Sequence, residues 1–356
     1  MLAYGLLFVV AAWRAADRLP FGVTANANWP SSWRLMFVVL VLMIGLRHEV
    51  GGDWFNYLRH IEIASFETFK EAISRGDPAY RALNWLTANL DLGPYLVNTV
   101  SAAIFVWGLV VFCRAQLLPG LALVVAVPYL VTVVAMGYTR QSVAIGFVML
   151  GLAALSDRKI LRFVVFVFLA ATFHKSAVIM IPLALLGGAK NRLWTVLWVS
   201  VSGLVFYALF LQESVDALYE NYVVAQYQSS GAAIRLAMNA VPAMLFLLFR
   251  HRFAMPKNER TFWTWMSLSA LGLAGILVVS PSSTAVDRVA LYWIPLQLFV
   301  LSRLPDAMSR HRAGSTIWIF LVTSYSAFVL FVWLFFAKHA DAWLPYQFYP
   351  WVWLSQ

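Results

Sequence analysis

The sequence predicts an all-α polytopic membrane protein of about 12 transmembrane helices, a single integral membrane domain over residues 1–356. Three observations carry that class. Of the 356 residues, 62% are apolar and only 12% charged, whereas an average soluble domain is roughly a quarter charged. The mean hydropathy of +0.75 describes more apolar surface than a soluble globule of this size can hide, because much of its own surface must face water. Apolar runs also recur at lengths approaching the ~20 residues that cross a bilayer as helix. A secreted soluble enzyme, a nucleic-acid-binding domain and a disordered tail are excluded together.

The expected spans lie near 2–13, 33–46, 95–113, 118–136, 142–156, 160–173, 176–189, 193–211, 233–249, 262–279, 289–302 and 315–337. Several are nearer 14 residues than 20, which calls for tilt, snorkelling arginines or incomplete crossings. The first lacks a basic flank before its apolar run and is followed by Arg14, so it is read as a span rather than a cleaved signal peptide. Gly146 with Gly151, and Gly272 with Gly275, are expected to mark close helix contacts. The single cysteine, Cys113, excludes an internal disulfide and a cysteine-built metal site.

The net charge of +10 has to be sorted by loop, because Lys and Arg accumulate on the cytoplasmic side. One alternating set of loops, from Arg14 through Arg114, Arg158, Arg192, Arg250 and Arg260 to Arg312, holds sixteen basic residues against four acids, Asp17, Asp157, Glu259 and Asp306. The other set is slightly acidic. The first set is therefore cytoplasmic, and both termini lie outside. Among the outside loops, 47–94 is the longest. It carries two amphipathic stretches, Phe66, Phe69 and Ile73, then Tyr80, Leu83, Leu86 and Leu90, expected as helices lying in the membrane surface. A second outside loop, 212–232, ends in a flexible composition, Gln-Ser-Ser-Gly at 228–231.

Basic residues on the outside run against the general bias. Arg47, Arg140, Lys175, Arg235 and Arg288 all sit within a few residues of a span end there. Five cations at one face point to a shared anionic ligand, for which the planar arginine fork suits phosphate oxygens. They fall in local clusters. Arg47-His-Glu-Val-Gly-Gly-Asp53-Trp-Phe-Asn-Tyr57 has two glycines for a tight turn, with Asp53 and Tyr57 one helical turn apart. Gly137-Tyr-Thr-Arg140-Gln141 starts a span, where free N–H groups beside a guanidinium suit phosphate. Phe173-His174-Lys175-Ser176 marks another outside turn, and Asp287-Arg288 precedes Tyr292. Absences narrow the class further. No Asp-x-Asp pair supports a metal on this face, and no Walker A, Gly-x-Ser-x-Gly or His-Glu-x-x-His motif occurs. No ionisable residue falls in the middle of an expected span, which counts against an ion-coupled carrier.

These clusters resemble the EpsG-like branch of the Wzy-type polysaccharide polymerases. The Arg-x-x-Val-Gly-x-Asp-x-x-x-Tyr pattern is similar to 47–57. Asp77-Pro78-Ala79-Tyr80 resembles an acid-Pro-x-aromatic motif, Arg140-Gln141-Ser142-Val143-Ala144 an Arg-Gln-x-x-Ala motif, and 173–177 a Phe-His-x-Ser-Ala motif. Arg288 with Tyr292, and Trp-Leu-Pro-Tyr at 343–346, complete the order. Trp54 stands where Tyr is expected, and Asp77 where Glu is commoner. The resemblance implies a GT-C-like architecture in the bacterial cytoplasmic (inner) membrane with its site on the periplasmic face. The implied reaction is metal-independent and cofactor-free transfer of a glycan from undecaprenyl pyrophosphate to a sugar hydroxyl of a lipid-linked repeat unit. Membrane lipid and the lipid-linked donor and acceptor are the implied partners, with a flippase and chain-length or export proteins beside them and no nucleic acid.

On that footing Arg47, Arg140 and Arg288 are expected at the pyrophosphate, with Lys175 and Arg235 behind them. Asp53 is the first candidate for the acceptor base and His174 the second. Tyr57, Tyr292 and Tyr346 are expected to line the sugar path or bond phosphate, with Gln141, Asp77 and Tyr80 in the substrate site. A translocator of lipid-linked glycan, or a glycan ligase of the same membrane class, shares these chemical needs, and residues alone do not separate polymerase from ligase.

Overall fold

A computed structural model describes residues 1–17, 28–74, 76–156, 159–182, 197, 200–201, 228–309 and 312–355. The described residues are predominantly helical, with no β-strand among them. In order they form α1 (Leu2–Trp13), α2 (Ser31–Gly45), α3 (Trp54–Ser65), α4 (Phe69–Ser74), α5 (Pro78–Asn89), α6 (Gly93–Arg114), α7 (Pro119–Ala126), α8 (Thr139–Ser156) and α9 (Ile160–Phe173). After 228 come α10 (Ala232–Phe249), α11 (Lys257–Val279), α12 (Ser283–Ala290), α13 (Ile294–Met308), α14 (Arg312–Phe336) and the short α15 (Tyr349–Leu354).

Five stretches are long and apolar enough to cross a bilayer: Gly93–Arg114, Ala232–Phe249, Lys257–Val279, Ser283–Met308 and Gly314–Phe336. Five shorter apolar helices accompany them, Leu2–Trp13, Ser31–Gly45, Pro119–Ala135, Thr139–Leu155 and Ile160–Phe173. The expected span at 176–189 starts as a 3-10 helix, Lys175–Met180. From residue 183 onward that span, and nearly all of 193–211, lie outside the described residues, as does most of the 212–232 loop.

The centre of the bundle is α7 and its continuation. Every residue from Pro119 to Ala135 is buried, enclosed by α1, α8, α13 and α14. Pro128 has no N–H to give the preceding turn, and the helix widens into a π-helical stretch, Val127–Ala135. The carbonyls this loosens find other donors. Thr132 Oγ1 donates to the Val127 carbonyl at 2.9 Å, and Trp343 Nε1 donates to the Thr132 carbonyl at 2.8 Å.

Small residues set the helix spacing around this rod. A Cβ on Gly108 would fall 2.0 Å from the Gly146 carbonyl, which fixes how closely α6 meets α8. Gly151 likewise rests against Phe163. Gly272 and Gly275 differ from the expectation: nothing lies within 4 Å of where their Cβ atoms would be. They sit on the outward face of α11, whose other side packs against α10. Outward faces of α10, α11 and α14 expose Leu248, Ile276, Phe320 and Phe328, an apolar surface suited to lipid tails.

The 47–94 loop forms three short helices rather than two stretches. Phe66 falls just past the end of α3 and is exposed, as are Phe69 and Ile73 on α4. On α5 the expected apolar face splits. Leu86 and Leu90 point outward, while the buried stripe is Tyr80, Asn84 and Thr87 at i, i+4 and i+7. The polar side of this amphipathic helix is therefore the one turned toward the protein. Residues 228–231, expected to be flexible, are tied down. Ser229 N–H donates to Ser283 Oγ, and Ser229 Oγ and Gln228 Nε2 donate to Asp287 and to the Pro281 carbonyl.

Polar clusters occupy opposite ends of α6. Asn98 at one end accepts from Arg47. Near the other end Gln116 accepts from Arg303, which also meets Glu259 at 3.4 Å. Sixteen residues of helix separate Asn98 from Arg114, roughly 24 Å at 1.5 Å per residue.

Candidate functional site

The site is assembled around the turn that joins the π-helical rod to α8, residues 137–141. The chain leaving α2 comes first. Gly51 adopts a φ of +105° and presses on the Met136 carbonyl, where a Cβ would sit 2.2 Å away, so only glycine fits. The C-terminal segment is laced along the same stretch. His48 N–H donates to the Gln347 carbonyl, Gly51 N–H to Ala342 and Tyr349 N–H to Leu46. Tyr346 Oη donates to the Met43 carbonyl at 2.8 Å. Trp343 covers Gly137, whose Cβ would fall 2.5 Å from the indole.

Arg47 lies inside this lacing and is 1% exposed. Its guanidinium donates to the Ile44 carbonyl, to the Val50 carbonyl at 3.1 Å, to Asn98 Oδ1 at 3.3 Å and to Thr139 Oγ1 at 2.8 Å. All four acceptors are neutral. The expectation that Arg47 meets a pyrophosphate directly does not fit an enclosed fork whose donors are directed into protein oxygens. It clamps the start of α8 to the end of α2 instead.

Six residues after Arg47, Asp53 precedes α3. It is half-buried, and among the described residues its carboxylate accepts a single long bond, 3.4 Å, from Asn56 Nδ2. One turn on, Tyr57 accepts from the Thr139 N–H at 2.9 Å and donates to the Gly137 carbonyl at 3.4 Å. Burial, and then the neighbouring Asp53 carboxylate, push the Tyr57 phenol up from its ordinary value, so it remains a protonated donor.

Asp77 is the hub of the second half. It precedes Pro78 at the start of α5, with its carboxylate 7% exposed. Oδ2 accepts from Arg140 Nη1 at 3.0 Å and lies 3.9 Å from His174 Nδ1, while Oδ1 accepts from the Lys175 N–H at 3.2 Å. Burial pushes this carboxyl up, but His174, Arg140 and the Lys175 N–H together outweigh it and hold the group below the usual carboxylate range. One acid thus draws α5, α8 and the end of α9 to a point. Arg140 keeps 41% of its side chain exposed and crosses the Tyr80 ring with its guanidinium carbon 5.8 Å from the centroid.

Arg288 reaches the same turn from α12. Its guanidinium carbon stacks 4.1 Å from the Tyr138 centroid, and its carbonyl accepts from Gln141 Nε2 at 2.6 Å. Tyr292 Oη pairs with Ser176 Oγ at 3.0 Å, tying the same segment to the His174 turn. Arg235 is different. Its fork binds Asp287 through Nε and Nη2, both at 2.8 Å, and Nη2 also donates to Ser229 Oγ. Its charge is matched within the protein.

Beside Arg140 a cleft of about 70 Å³ opens between α3 and α5, lined by His60, Ala64, Gly76, Asp77, Tyr80, Arg81, Asn84 and Arg140. Arg81 donates to the Glu67 carboxylate and to the Ala72 carbonyl. Burial, then the cations Arg140 and Arg81, push the His60 imidazole below its ordinary value. His60, Arg81, Asn84, Tyr138 and Thr139 are the residues the sequence reading passed over. The spacing was a usable signal, since His60 follows Tyr57 by three residues and Asn84 follows Tyr80 by four. No group of three or more metal-ligating side chains occurs among the described residues.

No curated protein sequence and no solved structure matches the chain. A family model does, that of the EpsG family, over residues 32–348. The matched range contains Arg47, Tyr57, Asp77, Arg140, His174, Arg288 and Tyr346, and of these the fold brings Arg47, Tyr57, Asp77 and Arg288 from distant stretches against the turn that carries Arg140. The chain belongs to the EpsG family.

Proposed function

We propose that this chain is a polysaccharide polymerase that transfers a glycan from undecaprenyl pyrophosphate to a sugar hydroxyl of a lipid-linked repeat unit, at the periplasmic face of the bacterial inner membrane. EpsG-family membership points to a polysaccharide-polymerase-type role. The observation that carries the finer reading is the pair of incompletely enclosed guanidiniums at one turn. Arg140 is aimed by Asp77, and Arg288 is stacked on Tyr138 and tethered through Gln141. The two are fixed before any ligand arrives, which is what stabilising a departing diphosphate requires.

In this reaction the acceptor oxygen attacks the anomeric carbon of the donor glycan, and the bond from that carbon to the pyrophosphate oxygen breaks. The hydroxyl proton passes to the Asp53 carboxylate, and undecaprenyl pyrophosphate leaves with its added charge on Arg140 and Arg288. Asp53 suits the base because it is half-buried and its carboxylate makes no ion pair among the described residues. His174 is held toward Asp77, which already serves Arg140. Tyr57 and Tyr292 fix the walls of the site. The outside placement rests on the loop-charge asymmetry.

Purified protein supplied with lipid-linked repeat units tests the reading. Elongation without an ion gradient or nucleotide is expected, and Arg140→Ala and Arg288→Ala should leave single repeat units unextended. Normal polymer from both variants overturns the role of the pair. Asp53→Asn should stop elongation while His174→Ala retains part of it, and the reverse result moves the base to His174.

A further inference from the structure

The cleft between α3 and α5 contains two polar groups that the reaction above does not use. Tyr80 and Asn84 are each 2% exposed. The Tyr80 hydroxyl and Asn84 Oδ1 are both enclosed, and neither has a hydrogen-bond partner of good distance and angle among the described residues. Asn84 Nδ2 is already committed to the Tyr80 carbonyl at 2.8 Å, which fixes the amide so that its oxygen remains an acceptor. One unspent O–H donor and one unspent acceptor thus belong to two residues that line the same small cleft. Buried groups of this kind are costly when left unpaired.

Charge decides what would satisfy them. Arg140 is paired with Asp77 and Arg81 with Glu67, while His60 is pushed toward its neutral form by burial and by those cations. The cleft is therefore balanced: two guanidiniums, two carboxylates and an uncharged imidazole. A phosphate or carboxylate in this space would meet Asp77 and Glu67 as well as the arginines. A group that both donates and accepts without carrying charge meets no such conflict.

We propose that this cleft is a subsite for the hydroxyl-bearing edge of a neutral sugar ring. One hydroxyl accepts from Tyr80 Oη and donates to Asn84 Oδ1, and the neutral His60 stands beside it for a second. The volume of about 70 Å³ takes an edge of a pyranose, leaving the rest of the ring toward the exposed side of Arg140. The subsite deepens the polymerase reading by naming what part of the glycan is gripped beside the diphosphate, but its occupancy does not depend on turnover.

The experiment is saturation-transfer NMR on the purified full-length protein in detergent, with methyl glycosides of glucose, galactose, mannose and N-acetylglucosamine as probes, and inorganic pyrophosphate titrated separately. At least one glycoside should bind, and Tyr80→Phe and Asn84→Leu should each weaken it about tenfold or more, as expected when a built hydroxyl partner is removed. Asn89→Ala, on the exposed side of α5, serves as the control and should bind normally. Pyrophosphate binding should survive Tyr80→Phe and fall with Arg288→Ala. No transfer from any of the four glycosides, or binding that neither cleft variant weakens, overturns the subsite. Loss of the Arg288 dependence with the glycoside result intact overturns the diphosphate reading alone.

Discussion

Replacing Arg47 by lysine separates two roles that look alike in sequence. If this cation touches a diphosphate, lysine keeps the charge and spares the fold. In the structure its donors are spread over three nitrogens and reach four oxygens on three segments: Ile44 and Val50, Asn98, and Thr139. An ammonium is one point with three donors on a flexible stem, so at most about two of those acceptors stay served. Two lost bonds to a charged donor, at about 1.5–3 kcal/mol each, put the destabilisation near 3 kcal/mol or above. On the scale of soluble domains of 150–250 residues, that is a fall of roughly 6–12 °C in melting temperature. Thermal unfolding of the purified variant in detergent, followed by tryptophan fluorescence, reads it directly. Arg47→Met should fall at least as far, since it leaves all four oxygens without a donor. The reasoning is refuted if Arg47→Lys melts with the parent while pyrophosphate binding is lost, because that pattern belongs to a ligand contact.

Two further perturbations address the other supports of the site. Asp77→Asn removes the charge that aims Arg140. Arg140 is substantially exposed, so the pair contributes on the order of 1 kcal/mol, and elongation should drop about tenfold with a smaller change in melting temperature, measured on the same preparations. The folded-state pKa of Asp77 lies below its unfolded value of about 3.9. Its contribution to stability is therefore full above that value and lost as pH falls through the lower, folded one. Acid unfolding below roughly pH 4 should be shallower in Asp77→Asn than in the parent, and identical acid limbs would show that the carboxylate is not so held. Gly51→Ala places a Cβ 2.2 Å from the Met136 carbonyl at a φ of +105°. Strain of about 1–3 kcal/mol, plus displacement of the 137–141 turn, should lower both melting temperature and activity, whereas Gly52→Ala, with only the rim of Trp343 nearby at 3.9 Å, should be mild.

The all-helical membrane class was legible in the chain because it follows from a one-dimensional quantity. Apolar run length needs no knowledge of packing. The clusters around Arg47, Asp77, Arg140, His174 and Arg288 were legible too, as were the glycines at 51 and 146. Which guanidinium ends up available was not. Arg47 and Arg288 both stand beside an acid and a tyrosine in sequence, yet one is enclosed by neutral oxygens and the other stacks on Tyr138. Arg235 is quenched by Asp287, fifty-two positions away. The inversion of α5 was hidden for a similar reason. Its leucines line up as an apolar face, but Tyr80, Asn84 and Thr87 form an equally regular stripe, and only packing against α3 and α6 decides which one turns inward.

The five cations of this face therefore divide by what surrounds them, and that division bears on chemistry. A site built from five free cations would repel itself apart and would have to reorganise around each arriving anion. Here Arg47 clamps the scaffold, Arg235 fastens α10 to α12 through Asp287, and Lys175 supplies a backbone N–H to Asp77. Arg47 meets the 137–141 turn at Thr139, and Asp77 meets it at Arg140. Arg140 and Arg288, which lean on that turn through Asp77 and Tyr138, inherit its rigidity. Electrostatic stabilisation of a leaving group is largest when donors need not move at the moment of bond breaking. On the proposed mechanism the enclosed contacts of Arg47 and Arg235 hold Arg140 and Arg288 in place, and a substitution at Asp287 or Asn98 should cost activity through the placement of Arg288 and Arg140.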